Sequence, residues 1–138
     1  MSIETNKALV SRVFAEGMNQ RRFAVLDELI APAYVNHDMP APGPGPTGLK
    51  QVLGMFIEAF PDMGLKVEQV IGEGDTVATR GSFTGTHKGA FMGVPATGKS
   101  VTVKFMDFWR IENGKAVENW VQMDIMGLMQ QLGVVPAG

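Results

Sequence analysis

In the run Glu118-Asn119-Trp120-Val121-Gln122-Met123-Asp124, chemically useful side chains occupy every second position. On a strand, the period of two sends Glu118, Trp120, Gln122 and Asp124 to one side, so carboxylates, an indole and an amide share one space. Such a set suits proton transfer, in which a carboxylate removes a proton next to a carbonyl while N–H donors hold the developing enolate oxygen. Asp124, at the inner end of the strand near Val103 and Phe105, is the candidate acid/base. Trp120, Gln122 and His87 are the candidate donors. Asp124 also directly precedes the helical pattern Ile125 to Leu132, where aspartate is a favoured cap, and the two roles are compatible.

The neighbouring strand supplies further candidates. Asn113-Gly114 reads as a two-residue hairpin turn. Unbroken counting from it starts with Glu112 opposite Lys115 and then pairs Trp109 with Glu118, Asp107 with Trp120, Phe105 with Gln122 and Val103 with Asp124, these last four pairs all on one side. The other side carries Lys104, Met106, Phe108 and Arg110 opposite Met123, Val121, Asn119 and Val117. One arrangement makes this aliphatic side the core and leaves the acids in solvent. It would expose Phe105, Trp109 and Trp120 together as an apolar patch. The better expectation is a curved sheet whose concave side holds the aromatics and acids. Its aliphatic convex side is then free to pair with a second copy, which predicts a homo-oligomer.

Asp107 is a second candidate catalytic acid, or a buried acid satisfied by backbone or by Arg80. Arg80 lies on the polar strand side Ala78, Arg80, Ser82, Thr84, Thr86, and either binds an anionic or carbonyl group of a ligand or faces solvent. His37 and His87 are the only histidines and are expected at a pocket mouth. Neither has metal-ligand spacing, so no metal is expected. The methionines serve as flexible core filler, with Met39, Met92 and Met126 as alternative pocket lining.

The elements that position these residues follow from periodicity. Leu9, Val10, Val13, Phe14 and Met18 recur at helical spacing from Asn6 to Met18, with Thr5 as a possible cap. Phe23, Leu26, Leu29 and Ile30 predict a shorter helix that stops near Pro32. The Pro- and Gly-rich run 39–46 is a loop, and Thr47 caps a third helix with the face Leu49, Val52, Leu53, Phe56 and Phe60. Beyond Pro61 the period becomes two, predicting strands at Leu65 to Ile71, Thr76 to Thr86, Ser100 to Glu112 and Lys115 to Asp124. The segment 87–99 is too rich in Gly and Pro for a continuous strand, and its Thr97-Gly98-Lys99-Ser100 lacks the first glycine of a phosphate-binding loop. Helices followed by antiparallel strands predict an α+β fold with helices on one side of the sheet.

Composition narrows the partners. The 138 residues are expected to form one domain over 1–138, with a core large enough to hold a pocket. A net charge of -2 lacks the basic footprint of a nucleic-acid binder. Cysteine is absent, so thiolate chemistry and disulfides are excluded. No apolar run approaches a membrane span of about 18 residues, and the expected location is cytoplasmic.

Tyr34-Val35-Asn36-His37, Phe83-Thr84-Gly85-Thr86-His87-Lys88-Gly89, Pro95-Ala96-Thr97-Gly98-Lys99, Trp109 through Lys115, Glu118-Asn119-Trp120 with Asp124, and Gln131-Leu132-Gly133 together resemble the SnoaL-like polyketide cyclase family. That family belongs to the larger group sharing the cone-shaped fold of nuclear transport factor 2 and ketosteroid isomerase. The resemblance covers nearly the whole chain. It implies an α+β cone of curved antiparallel or mixed sheet, with N-terminal helices on the concave face enclosing a deep pocket, no cofactor, and dimers or tetramers. It also implies that Asp124 acts as acid and base in an intramolecular aldol cyclisation of a polyketide-like ester. The neighbouring strand offers Phe105, Asp107 and Trp109 inward where the characterised cyclases use polar partners, so the match extends to the acid/base role rather than to the substrate. A hydrolase resembling the epoxide hydrolases of this fold would use Asp107, Arg80 and Asp124, and a binding module for a small hydrophobic molecule would use the pocket alone.

Overall fold

The computed structural model describes residues 2–39 and 41–135. Helix α1 spans Ile3–Arg12, and its cap is Ser2, whose hydroxyl accepts the Thr5 N–H at 3.0 Å. Thr5 therefore lies inside the helix rather than before it. The apolar face continues through a π-helical segment, Val13–Asn19, that buries Val13, Phe14 and Met18. Helix α2 is Phe23–Leu29.

The chain then turns extended earlier than the periodicity predicts. Ile30–Asn36 forms strand β1, with Pro32 inside it. A proline is tolerated there because β1 is an edge strand and need not donate on both sides. Helix α3 runs over Gly45–Ala59 and is entered through Pro44, so Thr47 sits within its first turn and does not cap it. Four further strands follow: β2 Gly64–Glu73, β3 Thr76–Thr86, β4 Ser100–Glu112 and β5 Lys115–Met123, before helix α4 at Ile125–Leu132.

The sheet order is β1-β5-β4-β3-β2. All pairs are antiparallel except β1 with β5, which is parallel, and the sheet is curved without closing. Helix α1 and the π-helical segment lie against β2, while α3 lies against β1. Between these layers the core is anchored by fully buried Trp109, Phe60, Phe83, Leu26 and Leu128. This is the α+β cone that the resemblance implies. Among the described residues no helix is long and apolar enough to cross a membrane.

The β4–β5 register departs from unbroken counting. Glu112 pairs with Lys115 and Ile111 with Ala116, as the Asn113-Gly114 turn requires, and both turn residues have positive φ, 51° and 75°. The next pair is Arg110 with Glu118, so Val117 is an extra residue on β5. A bulge of one residue transfers every later side chain to the opposite face. Trp109 therefore pairs with Asn119, Asp107 with Val121 and Phe105 with Met123, whereas Phe108 meets Trp120 and Met106 meets Gln122 on the other side.

Candidate functional site

The inward residues of β4 are those predicted: Phe105, Asp107 and Trp109 are all buried on the concave side. They border a chamber of about 90 Å³ closed by Phe14 and Met18 from the N-terminal helix and by Leu49, Val52 and Phe56 from α3. Its walls are apolar except at one end, where Asp107, Asn119, Asn36 and the Trp109 indole gather.

Asp107 is the only acid in this wall and is 7% exposed. The Thr79 hydroxyl, from the paired position on β3, donates to its Oδ1. Burial pushes the Asp107 carboxyl up from 3.8 to about 6, and the polar hydrogens of Thr79, Trp109 and Asn119 hold it from rising further. The Trp109 Nε1–H is buried and lies outside hydrogen-bonding geometry to any described residue. A carboxyl raised to about 6 thus stands beside an indole N–H that is near enough to stabilise its charge but outside hydrogen-bonding geometry.

Asn119 is fixed in turn by three contacts. Its Oδ1 accepts from the Tyr34 hydroxyl at 3.3 Å and from Asn36 Nδ2 at 3.2 Å, and its Nδ2 donates to the Phe108 carbonyl at 2.9 Å. Tyr34 is buried and its phenol is pushed well above the usual range, chiefly by burial, so it stays a neutral donor. Strand β1 supplies both Tyr34 and Asn36, which is why this edge strand matters to the site.

The bulge removes several predicted residues from the chamber. Trp120 and Gln122 lie on the outer face of the sheet, with Trp120 38% exposed. Asp124 is exposed beyond the end of β5; it caps α4 by accepting the Gly127 N–H at 2.9 Å. Its backbone N–H donates to Lys104 O at 3.0 Å. Arg80 is also on the outer face, donating to Gln69 at 2.7 Å and Glu68 at 3.1 Å, so Asp107, Arg80 and Asp124 do not converge as the hydrolase arrangement requires.

The histidines take structural positions. His87 is completely buried against Phe60 and is not in the chamber wall. Its Nδ1 accepts the Thr97 N–H at 3.2 Å, which fastens the 87–99 loop back on itself. His37 stacks on Trp120 at 4.9 Å on the outer side and reaches Glu118 at 2.8 Å. Arg110 first and His37 second hold the Glu118 carboxyl below the usual range. Of the three candidate methionines, Met39 lines the chamber, while Met92 and Met126 are exposed. Among the described residues no three His, Cys, Asp or Glu side chains come together as metal ligands.

Periodicity misses Thr79, Asn119, Asn36 and Tyr34. Thr79 sits one residue from Arg80, and the burial of Val77, Thr79 and Phe83 shows that the odd-numbered side of β3 faces inward. Asn119 alternates with the apolar Val117 and Val121, but straight counting sends it outward.

The model of the SnoaL-like polyketide cyclase family matches residues 8–132. Among solved structures, TsrD from Streptomyces laurentii is 27% identical with a TM-score of 0.88, covering 98% of this chain and 99% of its own. IdmH from Streptomyces antibioticus, described as a candidate polyketide cyclase, is 33% identical with a TM-score of 0.81 over 94% of this chain and 99% of its own. AclR from Streptomyces galilaeus, described as a candidate hydroxylase, is 29% identical with a TM-score of 0.85 over 99% of this chain and 86% of its own. No curated protein sequence matches. A helix-covered curved sheet, an internal chamber and a family match over most of the length lead to one statement: the chain belongs to the SnoaL-like polyketide cyclase family.

Proposed function

We propose that the protein is a cofactor-independent acid/base enzyme for a hydrophobic carbonyl compound, with Asp107 as the acid/base. The observation that carries this is a buried carboxyl raised to about 6 in a chamber where the neighbouring Trp109 N–H makes no well-formed hydrogen bond to any described residue. The Asp107 carboxylate takes a proton from the carbon beside the carbonyl, and the enolate oxygen accepts a hydrogen bond from Trp109 Nε1. In an aldol closure the enolate carbon attacks a second carbonyl carbon, and protonated Asp107 returns its proton to the new alkoxide. Thr79 and Asn119 position the carboxyl, and Phe105 supplies apolar wall.

A thermal-shift screen of wild type and Asp107→Asn against aromatic and terpenoid carbonyl compounds, followed by mass spectrometry of each hit, tests this reading. Hits should stabilise both proteins and be converted only by wild type, with Asp107→Asn at least about a hundredfold slower. Equal conversion by both would remove Asp107 from the chemistry. Binding without conversion by either would favour a non-catalytic binding protein.

We also propose that the outer face of the sheet pairs with a second copy. Ile71, Met106, Phe108 and Trp120 are exposed there around an open trough of about 790 Å³, an apolar surface that water disfavours.

A further inference from the structure

The chamber at Asp107 is too small for the ligand its chemistry calls for. An apolar cavity of roughly 150 Å³ holds one benzene ring, and this one measures about 90 Å³. A second chamber of about 330 Å³ lies beyond it, rimmed by Ala41, Gly43, Pro44 and Gly48. Asn36, Met39, Leu49 and Val52 line both, so these side chains are the partition.

The four are not equally fixed. Leu49 and Val52 are buried and held by α3. The Asn36 amide is engaged at both ends, donating to Asn119 at 3.2 Å and accepting the N–H groups of Asp38 at 3.0 Å and Met39 at 2.9 Å. Among the described residues Met39 is hydrogen-bonded through its backbone only. Its side chain is unbranched, partly exposed and outside any helix or strand, and so changes rotamer at little cost.

We propose that the two chambers are one elongated binding site divided by the Met39 side chain, which swings aside for a ligand longer than one ring and thereby sets the length of substrate accepted. The proposal rests on the reading of Asp107 and Trp109 as the carbonyl end of the site. Joined, the chambers fall within the roughly 300–1,000 Å³ of small-molecule sites. The uneven wall gives the ligand a direction, because the polar groups Asp107, Trp109 Nε1 and Asn119 line the inner chamber and not the outer one. The outer rim is small and uncharged, so it takes an apolar body. Because the Asn36 bonds to the loop go to main-chain N–H groups, Met39 can change rotamer without disturbing Asn119.

The indole N–H resonance of Trp109, with Trp120 as an internal control, reports binding without requiring turnover. Acetone probes the inner chamber, and 2-acetylanthracene requires both. Gly43 lies on the rim of the outer chamber and a Cβ there meets nothing within 4 Å, so Gly43→Leu adds bulk at that rim without a clash. Gly43→Leu should weaken 2-acetylanthracene about tenfold and Met39→Ala should tighten it severalfold, both leaving acetone affinity nearly unchanged. The acetone titration also shows that each variant is folded. Equal effects on both probes, no effect on either, or failure of 2-acetylanthracene to shift the wild-type Trp109 resonance would overturn the proposal. Failure of the Asp107 reading is separate, since it shows as retained turnover in Asp107→Asn.

Discussion

Asp107 stands in a position that a purely structural residue would fill better with an uncharged group. Its carboxyl is raised from 3.8 to about 6 mainly by burial, so the native state binds its proton more tightly than the unfolded chain does. A raised folded value means that the associated stability is present in full below pH 3.8 and is lost as pH rises through about 6. Above that window the buried carboxylate costs the fold about 3 kcal/mol relative to its protonated form. Urea unfolding should therefore show Asp107→Asn gaining on wild type between pH 4 and pH 7, and parallel pH curves would argue that the acid is better solvated than its burial indicates. The same ionisation bears on rate. A base that must be ionised makes kcat/KM fall below about pH 6, so a flat profile through that range would count against Asp107 as the base.

At the scale of elements, the strand bulge at Val117 and the start of α4 determine which acid is inside. Once Val117 is accommodated, Asn119 faces the chamber and β5 ends with Asp124 outside it, free to satisfy the first turn of α4. Gly127 belongs to this cap, since a Cβ there would come within 2.3 Å of the Asp124 carboxylate. Asp124→Ala should cost about 1 kcal/mol in chemical denaturation through loss of the cap. Asp124→Asn keeps a capping oxygen and should retain both stability and conversion of any substrate found in the carbonyl screen. Loss of conversion in Asp124→Asn with the fold intact would return the acid/base role to Asp124. The secondary-structure pattern alone distinguishes these residues poorly, because a bulge is one residue long and leaves the alternation on either side of it intact.

For the whole molecule, the curved sheet has a used inner side and an unused outer one. Phe108 is 55% exposed and Met106 64% exposed, next to Trp120 stacked on His37. A lysine at the centre of such a face adds a charge that a paired surface would have to desolvate. Sedimentation at micromolar concentration should find wild type as a dimer or larger and Phe108→Lys as a monomer with an unchanged circular dichroism spectrum. A wild-type monomer under those conditions would mean that the outer face does not pair.

Much of this architecture is already contained in the order of residues. Periodicity of 3.6 followed by periodicity of two specifies α1 and α3 ahead of strands β2 to β5, though not β1 between α2 and α3, Asn113-Gly114 specifies the β4–β5 turn, and alternation along β4 puts Phe105, Asp107 and Trp109 on one buried side. These are local properties, set by which side chains repeat on one face. Tertiary structure decided what those residues meet. The parallel pairing of β1, formed across more than eighty residues, brings Tyr34 and Asn36 to Asn119. The bulge at Val117 then exchanges Trp120 and Gln122 for Asn119 inside the chamber. Both depend on contacts between distant segments, whose geometry a short run of sequence does not encode, so the acid that the chain encloses is Asp107.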